Sequence, residues 1–351
     1  MKPCRIVLYG WPHSSHLQRW AIGLSERGFT VRVIGLGGEP IRSVDTITWP
    51  HRGPRSYLLR RAAARRLTRA FNPELIHCHY ASSFGLWTLG PKPAPTVVSV
   101  WGSDVTAFPS NPLKRFLIKQ VLRKADKVTA TSAYLRERLA ALTPEVAGAT
   151  AIVPFGVDIP ETTRPLPATG EFRMCALKRH KQVYGLDLLI KAAALVARDL
   201  PAVHLSLPGD GPETDRLKAL VKELRIEHIV SFHGQLPTDR IADFVSDHHV
   251  VVIPSREESF GVAALEAGAC GRPVVASRLG GLVESVRDGY SGLLIEPENV
   301  EALAQTLVSL ARDRERIAKL GANGRRLVEE EYGLDVSLDK MISVYEKVLY
   351  G

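Results

Sequence analysis

The stretch "PSREESFGVAALEAGACGRPVVAS", residues 254–277, carries, besides Glu257, two carboxylates, Glu258 and Glu266, with seven residues between them and a Ser-Phe-Gly turn beside the first. The preceding "VVVIPS" reads as a buried strand, and "FGVAALEAGA" as a helix starting near Phe260. A helix N-terminus offers unpaired N–H groups and a partial positive charge, which suits phosphate. Gly261 lets a ligand approach the backbone closely. Eight residues along a helix cover about 12 Å. A carboxylate touching phosphate would repel it, so both acids suit hydroxyls flanking an anion, the layout of a sugar–diphosphate–ribose. A plainer alternative makes Glu258 a helix-start acid favoured by the dipole and Glu266 a solvated helix acid.

The elements that must position these residues alternate along the chain. Residues 4–9, 30–36, 74–78, 95–100 and 126–131 are short β-branched runs, separated by helical patterns over 16–27, 56–71, 111–124 and 133–142, with Ser132 as an N-cap. Residues 153–172, rich in Pro, Gly and Thr, read as a linker. The alternation then restarts, with strands over 172–177, 202–207, 229–232, 249–253, 273–276 and 292–295. Helices fit 186–199, 212–225, 237–246, 260–269, 299–312, 313–331 and 335–349. The expectation is an α/β chain of two doubly wound domains, 1–155 and 172–334, joined by a linker over 156–171, with the helix over 335–351 packing back near the first. Ligands of such sheets sit at the carboxyl ends of strands, and with two domains the expected site is the cleft between them.

Bulk properties narrow the classes. The 351 residues suit two domains, and a 45% hydrophobic content suits a globular chain. The opening "MKPCRIVLYGWP" has too short an apolar run for a secretory signal and reads as a first strand; no apolar stretch approaches membrane-spanning length. Cys4, Cys78, Cys175 and Cys270 are scattered, as expected of reduced thiols in a cytoplasmic protein. Residues 1–165 hold 23 basic and 10 acidic residues against 23 and 27 in the remainder, so the positive charge lies in the first half.

The stretch 254–297, "PSREESFGVAALEAGACGRPVVASRLGGLVESVRDGYSGLLIEP", resembles the retaining glycosyltransferases of family 4, whose GT-B fold has two Rossmann-like domains and whose mark is an acid, seven residues, then an acid. "LPGDGPETDRL" (207–217), with Gly209 and Gly211, is similar to the family's strand–turn–helix. "FHGQLP" (232–237), with Gly234, resembles its loop against the nucleotide base, and "FGVDIP" (155–160) its linker, with Phe155 where Asn is usual. "KRHKQVYGLDLLIKA" (178–192) resembles "GRL…KG…LI.A". That register puts Arg179 on the diphosphate-binding Arg and Tyr184 on the usual Lys, leaving Lys178 or Lys181 to supply the second charge. The resemblance thus implies a donor site of Lys178, Arg179, Lys181, Gly209, Gly234, Glu258, Phe260, Gly261, Val262 and Glu266, with Glu258 at the sugar, Glu266 at the ribose, and Phe260–Val262 giving backbone N–H groups to phosphate.

The first domain agrees more weakly. The family's Gly-Gly loop is replaced by "GWPHSSHLQRWA", so His13, Ser15 and His16 are expected to meet the acceptor through side chains, with Trp101 beside them. "IHCHYASSFG" (76–85) resembles a His-x-His at a strand end, which would turn His79 towards the transferred sugar. Asp104, in "VWGSDVTAFP" (100–109), is a candidate for holding an acceptor or sugar hydroxyl, or else a helix N-cap. His79, Asp104, Arg179 and Glu258 form the expected catalytic set. No Asp-x-Asp occurs, and the resemblance implies metal-independent transfer with no cofactor beyond the nucleotide sugar. It also implies retention: the acceptor hydroxyl attacks from the face that the nucleoside diphosphate leaves, and the leaving phosphate oxygen takes the proton. The protein's task is then to stabilise the leaving anion and orient the acceptor.

"RGPRSYLLRRAAARRLTRAF" (52–71) holds seven Arg and no acid, with Leu58, Leu59, Ala62, Ala63, Leu67, Ala70 and Phe71 leaning to one face, and 112–127 adds six basic residues. Basic amphipathic helices suit an anionic membrane surface, here the inner face of the cell membrane, or else a solvated helix packed on the sheet. Without aromatic interleaving they do not suit nucleic acid. The expected activity is transfer of a sugar to a glycan or lipid-linked acceptor in polysaccharide or glycolipid synthesis. Alternatives are a GT-B relative that hydrolyses or epimerises a nucleotide sugar, and a non-catalytic nucleotide- or membrane-binding protein. A nicotinamide oxidoreductase is disfavoured, since "GLGGEP" (35–40) lacks the Gly-x-Gly-x-x-Gly spacing.

Overall fold

The computed structural model describes residues 2–106, 112–168 and 170–351. The chain divides into two compact units, one of residues 1–156 with 334–351 and one of residues 157–333.

Among the described residues the first unit builds seven strands: β1 (Arg5–Gly10), β2 (Thr30–Leu36), β3 (Asp45–Trp49), β4 (Leu75–His79), β5 (Thr96–Val100), β6 (Lys127–Ala130) and β7 (Ala151–Ile152). All pair in parallel, in the order β3-β2-β1-β4-β5-β6-β7. The second unit builds six: β8 (Phe172–Cys175), β9 (Val203–Pro208), β10 (Val230–Gly234), β11 (Val250–Ile253), β12 (Val274–Ser277) and β13 (Gly292–Ile295). These are also parallel, in the order β10-β9-β8-β11-β12-β13. Each order reverses direction once, at β1/β4 and at β8/β11, and there the loops leaving the carboxyl ends diverge and open a crevice.

Helices cover both faces of each sheet. On β1, Ile6 and Leu8 face one core while Val7 and Tyr9 face the other, the two-residue period of a strand buried on both sides. The Leu334–Tyr350 helix belongs to the first unit, against the Ser15–Glu26 helix: Leu338 and Tyr345 are buried with Leu17, Trp20 and Leu24. Ser132 caps its helix as expected, its hydroxyl accepting from the Leu135 N–H at 3.1 Å. The helix expected over 111–124 is Pro112–Lys124; residue 111, like 107–109 of the stretch around Asp104, lies outside the described residues.

Residues 157–168, within the expected linker, are strapped to the second unit. The buried Arg272 guanidinium donates to the carbonyls of Arg164 (3.0 Å) and Pro165 (2.9 Å), and also to those of Ser246, His248 and Cys270. Arg314 and Arg325 donate to Pro167 (2.7 Å) and Pro160 (2.8 Å). A proline-rich segment has carbonyls to satisfy but few N–H groups to form a strand, and arginine forks supply the donors. No helix among the described residues is long and apolar enough to cross a membrane.

Candidate functional site

In the second unit the loops leaving β8 and β11 meet. Lys178, three residues past β8, pairs through its ammonium with the carboxylate of Glu258, five residues past β11. The two side chains retain only 9% and 13% exposure, and the lysine nitrogen lies 5.0 Å from the centroid of the Tyr184 ring. Arg179 and Lys181 are exposed. The helix beyond runs Val262–Ala269, starting two residues later than Phe260. Phe260 is buried with its ring 5.9 Å from that of Tyr332, so only its backbone is available to a ligand. Gly261 has φ of +93°, and a Cβ there would sit 2.7 Å from the Leu282 side chain, so the turn that aims the first N–H groups of the helix requires glycine. Glu266 is half-buried on that helix.

Two further features build this edge. Gly209 has φ of +111°, and a Cβ would press within 2.3 Å of the Lys178 carbonyl, while its N–H donates to the Gly234 carbonyl at 2.6 Å. The loops after β8, β9 and β10 are thereby drawn together. Arg256 was not signalled by any motif. Its guanidinium holds both oxygens of Asp187 (2.8 and 2.9 Å) and Glu298 (2.8 Å), and also donates to the Gln182 carbonyl. Its own N–H donates to the Val183 carbonyl, which fixes the Gln182–Tyr184 turn. The doubly paired guanidinium holds Asp187 below the usual carboxylate range, against the raising effect of its burial.

In the first unit, His79 ends β4, with its ring 4.9 Å from Trp101 and 4.0 Å from His77. His16, in the first turn of the Ser15–Glu26 helix, stacks on Phe155 at 4.0 Å and meets Trp101 edge-on at 5.8 Å. Neither nitrogen of the buried His79 ring, nor Nδ1 of His16, has a hydrogen-bond partner among the described residues. Burial pushes His16 down to about 4 and holds His79 well below its ordinary value. Both are therefore neutral imidazoles at physiological pH, each able to donate and accept one hydrogen bond, as a sugar hydroxyl requires. His77 below them is committed elsewhere, with Nδ1 at 2.6 Å from the Tyr345 hydroxyl and Nε2 at 2.7 Å from that of Ser99. Ser15 is half-buried and His13 exposed at the same strand end.

Asp104 differs from the expectation. It is buried, and its carboxylate accepts from the N–H groups of Trp101 (3.1 Å), Gly102 (2.9 Å) and Ala81 (3.1 Å). It ties the loop after β5 to the loop after β4, and its oxygens are spent on backbone rather than offered to a hydroxyl. Burial raises its pKa and these hydrogen bonds oppose that. Asp104 thus positions Trp101.

The basic helix also departs from its expected face. In the Arg55–Phe71 helix the buried positions are Ser56, Tyr57, Ala64 and Thr68, while Leu58 and Leu59 are exposed. Arg61 and Arg65 turn inward and donate to carbonyls of Leu86 (2.9 Å) and Leu89 (2.7 Å) in the neighbouring segment. Those carbonyls end the short Gly85–Thr88 helix and need donors.

Residues 159–327 match the family model of glycosyl transferases group 1, and residues 5–132 match that of the glycosyl transferase 4-like proteins. The chain is 28% identical over 292 residues to N-acetyl-alpha-D-glucosaminyl L-malate synthase of Bacillus anthracis, spanning 80% of this chain and 75% of the relative. It is 31% identical over 248 residues to the GDP-mannose-dependent alpha-(1-6)-phosphatidylinositol monomannoside mannosyltransferase of Mycolicibacterium smegmatis, spanning 65% and 64%. Sucrose-phosphate synthase from Thermosynechococcus elongatus shares the fold with a TM-score of 0.83 at 24% identity, over 98% of both chains. Anabaena HepE in complex with UDP and glucose does so with 0.83 at 19%, over 98% of this chain and 99% of that one. With both family models on its two Rossmann-like units, the chain belongs to the glycosyl transferases group 1, glycosyltransferases of GT-B fold that draw on nucleotide sugars.

Proposed function

We propose that the protein transfers a sugar, with retention of configuration and without a metal ion, from a nucleoside diphosphate sugar to a glycan or lipid-linked acceptor hydroxyl, in the synthesis of a cell-surface polysaccharide or glycolipid. The observation that carries this reading is the β8/β11 edge, where a paired Lys178 and Glu258, the exposed Arg179 and the Val262–Ala269 helix start converge, with Glu266 along the helix. Cations and a helix N-terminus stabilise the departing diphosphate, and the two acids take hydroxyls of the sugar and the ribose. A leaving phosphate oxygen removes the acceptor proton, so no side chain serves as nucleophile. His79 and His16, neutral beside Trp101, fit hydroxyl groups at the other strand edge.

The acceptor reading is supported by the surface of the first unit. The Arg55–Phe71 and Pro112–Lys124 helices both contribute to the core on one sheet face. Each follows a strand of a parallel sheet, so its first turn lies at the carboxyl edge. There Leu58, Leu59, Leu113 and Phe116 are 63%, 77%, 65% and 56% exposed. Around them stand Arg55, Arg60, Arg66, Lys114 and Arg115, and no acid occurs over 46–73 or 105–125. Exposed apolar side chains interspersed with basic ones on these helices fit the inner, anionic face of a membrane, on which the protein would be peripheral.

The test is a thermal-shift panel of nucleoside diphosphates and nucleotide sugars, followed by transfer assays with glycan and lipid-linked acceptors and determination of the product's anomeric configuration. A ligand at 100-fold its Kd stabilises by about 2.7 kcal/mol. Absence of any shift would sink the donor site, and an inverted product would sink retention. Free sugar or epimer released without acceptor would favour the hydrolysing or epimerising alternative.

A further inference from the structure

We infer that Lys178, and not Lys181, supplies the second cation to the diphosphate, and that Tyr184 is the positioning residue that carries its ammonium. The inference rests on the donor-site reading above and names a residue of that same site. In the pattern that 178–192 resembles, the position of Lys178 is a glycine and that of Tyr184 a lysine. The structure brings the two side chains together, with the Lys178 nitrogen 5.0 Å from the Tyr184 ring centroid. The positive charge has moved six residues back along the chain to be delivered at the tyrosine.

Three observations hold the ammonium there. Glu258 pairs with it at the edge where the Val262–Ala269 helix begins, and both side chains are largely withdrawn from water. The Tyr184 ring offers a π-face, which attracts a cation more strongly when solvent is reduced. Tyr184 itself is fixed by Arg256, which bonds the Gln182 and Val183 carbonyls of its turn. An ammonium has three donors, and one or two engaged by Glu258 leave the rest for phosphate oxygens. Lys181, exposed to solvent, would be screened and would have to be ordered on binding. Glu258 thus has two tasks, presenting the lysine and receiving a sugar hydroxyl.

Calorimetric titration of the full chain with UDP, GDP and the corresponding nucleosides tests this. Lys178→Met is expected to weaken binding of the preferred diphosphate at least tenfold while leaving nucleoside binding within about threefold. Tyr184→Leu is expected to weaken the diphosphate several-fold, again without touching the nucleoside, which a merely structural role would not separate. Lys181→Met is expected to change neither. Returning the charge to position 184 in Lys178→Gly/Tyr184→Lys is expected to recover most of the affinity lost in Lys178→Gly. Lys178→Met/Glu258→Gln removes the uncompensated carboxylate should the single variant fold poorly, and carries the same expectation. Loss in Lys181→Met with none in Lys178→Met overturns the inference, as does a double exchange no better than Lys178→Gly. If the unaltered protein binds no nucleoside diphosphate, the donor-site reading falls and takes this inference with it; if it binds and Lys178→Met binds equally, only this inference falls.

Discussion

The exposed leucines and phenylalanine of the first unit lead to a measurable membrane affinity. Leu59 and Phe116 stand at the starts of different helices, 77% and 56% exposed. Full burial of such a side chain contributes ~2–3 kcal/mol, so sinking their exposed fractions into the acyl boundary contributes roughly 3 kcal/mol together. Lysines and arginines near an anionic surface add ~1 kcal/mol each, screened by salt. Leu59→Ser/Phe116→Ser should therefore weaken partitioning on to phosphatidylglycerol-containing vesicles by about 100-fold, at ~1.4 kcal/mol per decade. Sedimentation with vesicles of increasing anionic content measures it, phosphatidylcholine vesicles serving as reference. Transfer to a water-soluble acceptor should be unchanged, since neither residue belongs to the loops that leave β8 and β11 or to the end of β4. If the double variant binds as the unaltered protein does, insertion is refuted. If the unaltered protein ignores anionic vesicles, the whole membrane reading goes with it.

Other consequences follow from the interior. Burial pushes His16, His248 and His249 down to about 4, His77 to about 3, and His79 well below its ordinary value. In the unfolded chain these rings take up protons near pH ~6.5, so the unfolded state binds more of them; stability is fully present above that pH and falls as pH drops towards about 4, by up to ~1.4 kcal/mol per unit and per histidine. Urea melts between neutral pH and about pH 5 should show the midpoint falling, and a flat profile would mean that the rings are not held neutral. Arg272→Met should cost roughly 3–5 kcal/mol in denaturant titration, because it leaves several buried carbonyls without donors; a loss below ~1 kcal/mol would mean that water replaces the guanidinium. Glu266→Ala should weaken nucleotide-sugar binding by about tenfold in calorimetry, and unchanged affinity would remove that acid from the ribose. Asp104→Asn should destabilise the protein by about 1–3 kcal/mol, because its NH2 group would face a backbone N–H where a carboxylate oxygen now accepts, with any change in transfer arising through Trp101.

The tandem α/β order was legible in the sequence because strands buried on both faces are uninterrupted apolar runs. β3 and β7 were not: Asp45–Trp49 is a half-buried edge strand of mixed polarity, and Ala151–Ile152 is two residues long. Glu258 and Glu266 announced themselves through spacing and glycine placement. Their companion Arg256 did not, since an arginine's role depends on which carbonyls and acids the fold brings to it. The same limit applies to Arg61 and Arg65, whose seat on the segment ending the Gly85–Thr88 helix no period could reveal. Helical spacing gave Leu58 and Leu59 a common face with Ala62 and Ala63, but small residues such as Ala64 and Thr68 win the sheet side because two packed layers come close there. A carboxylate near a strand end looks alike whether it faces a hydroxyl or a loop backbone, and Asp104 proved to be the second kind.

The chain leaves the first unit at Gly156 and returns at Leu334, and the strap described above begins where the second unit ends: the Val157 N–H meets the Tyr332 carbonyl at 3.0 Å, and Val157 forms a bridge with Gly333. On the other side of the break, a Cβ on Gly156 would lie 2.9 Å from the Leu334 Cα. Residues 157–333 are thus a module whose two ends are neighbours, spliced into a host chain whose cut ends are neighbours too. Such a layout lends itself to dissection: the module can be cloned on its own, the host closed by a turn of a few residues, and foreign modules of the same end spacing grafted in its place.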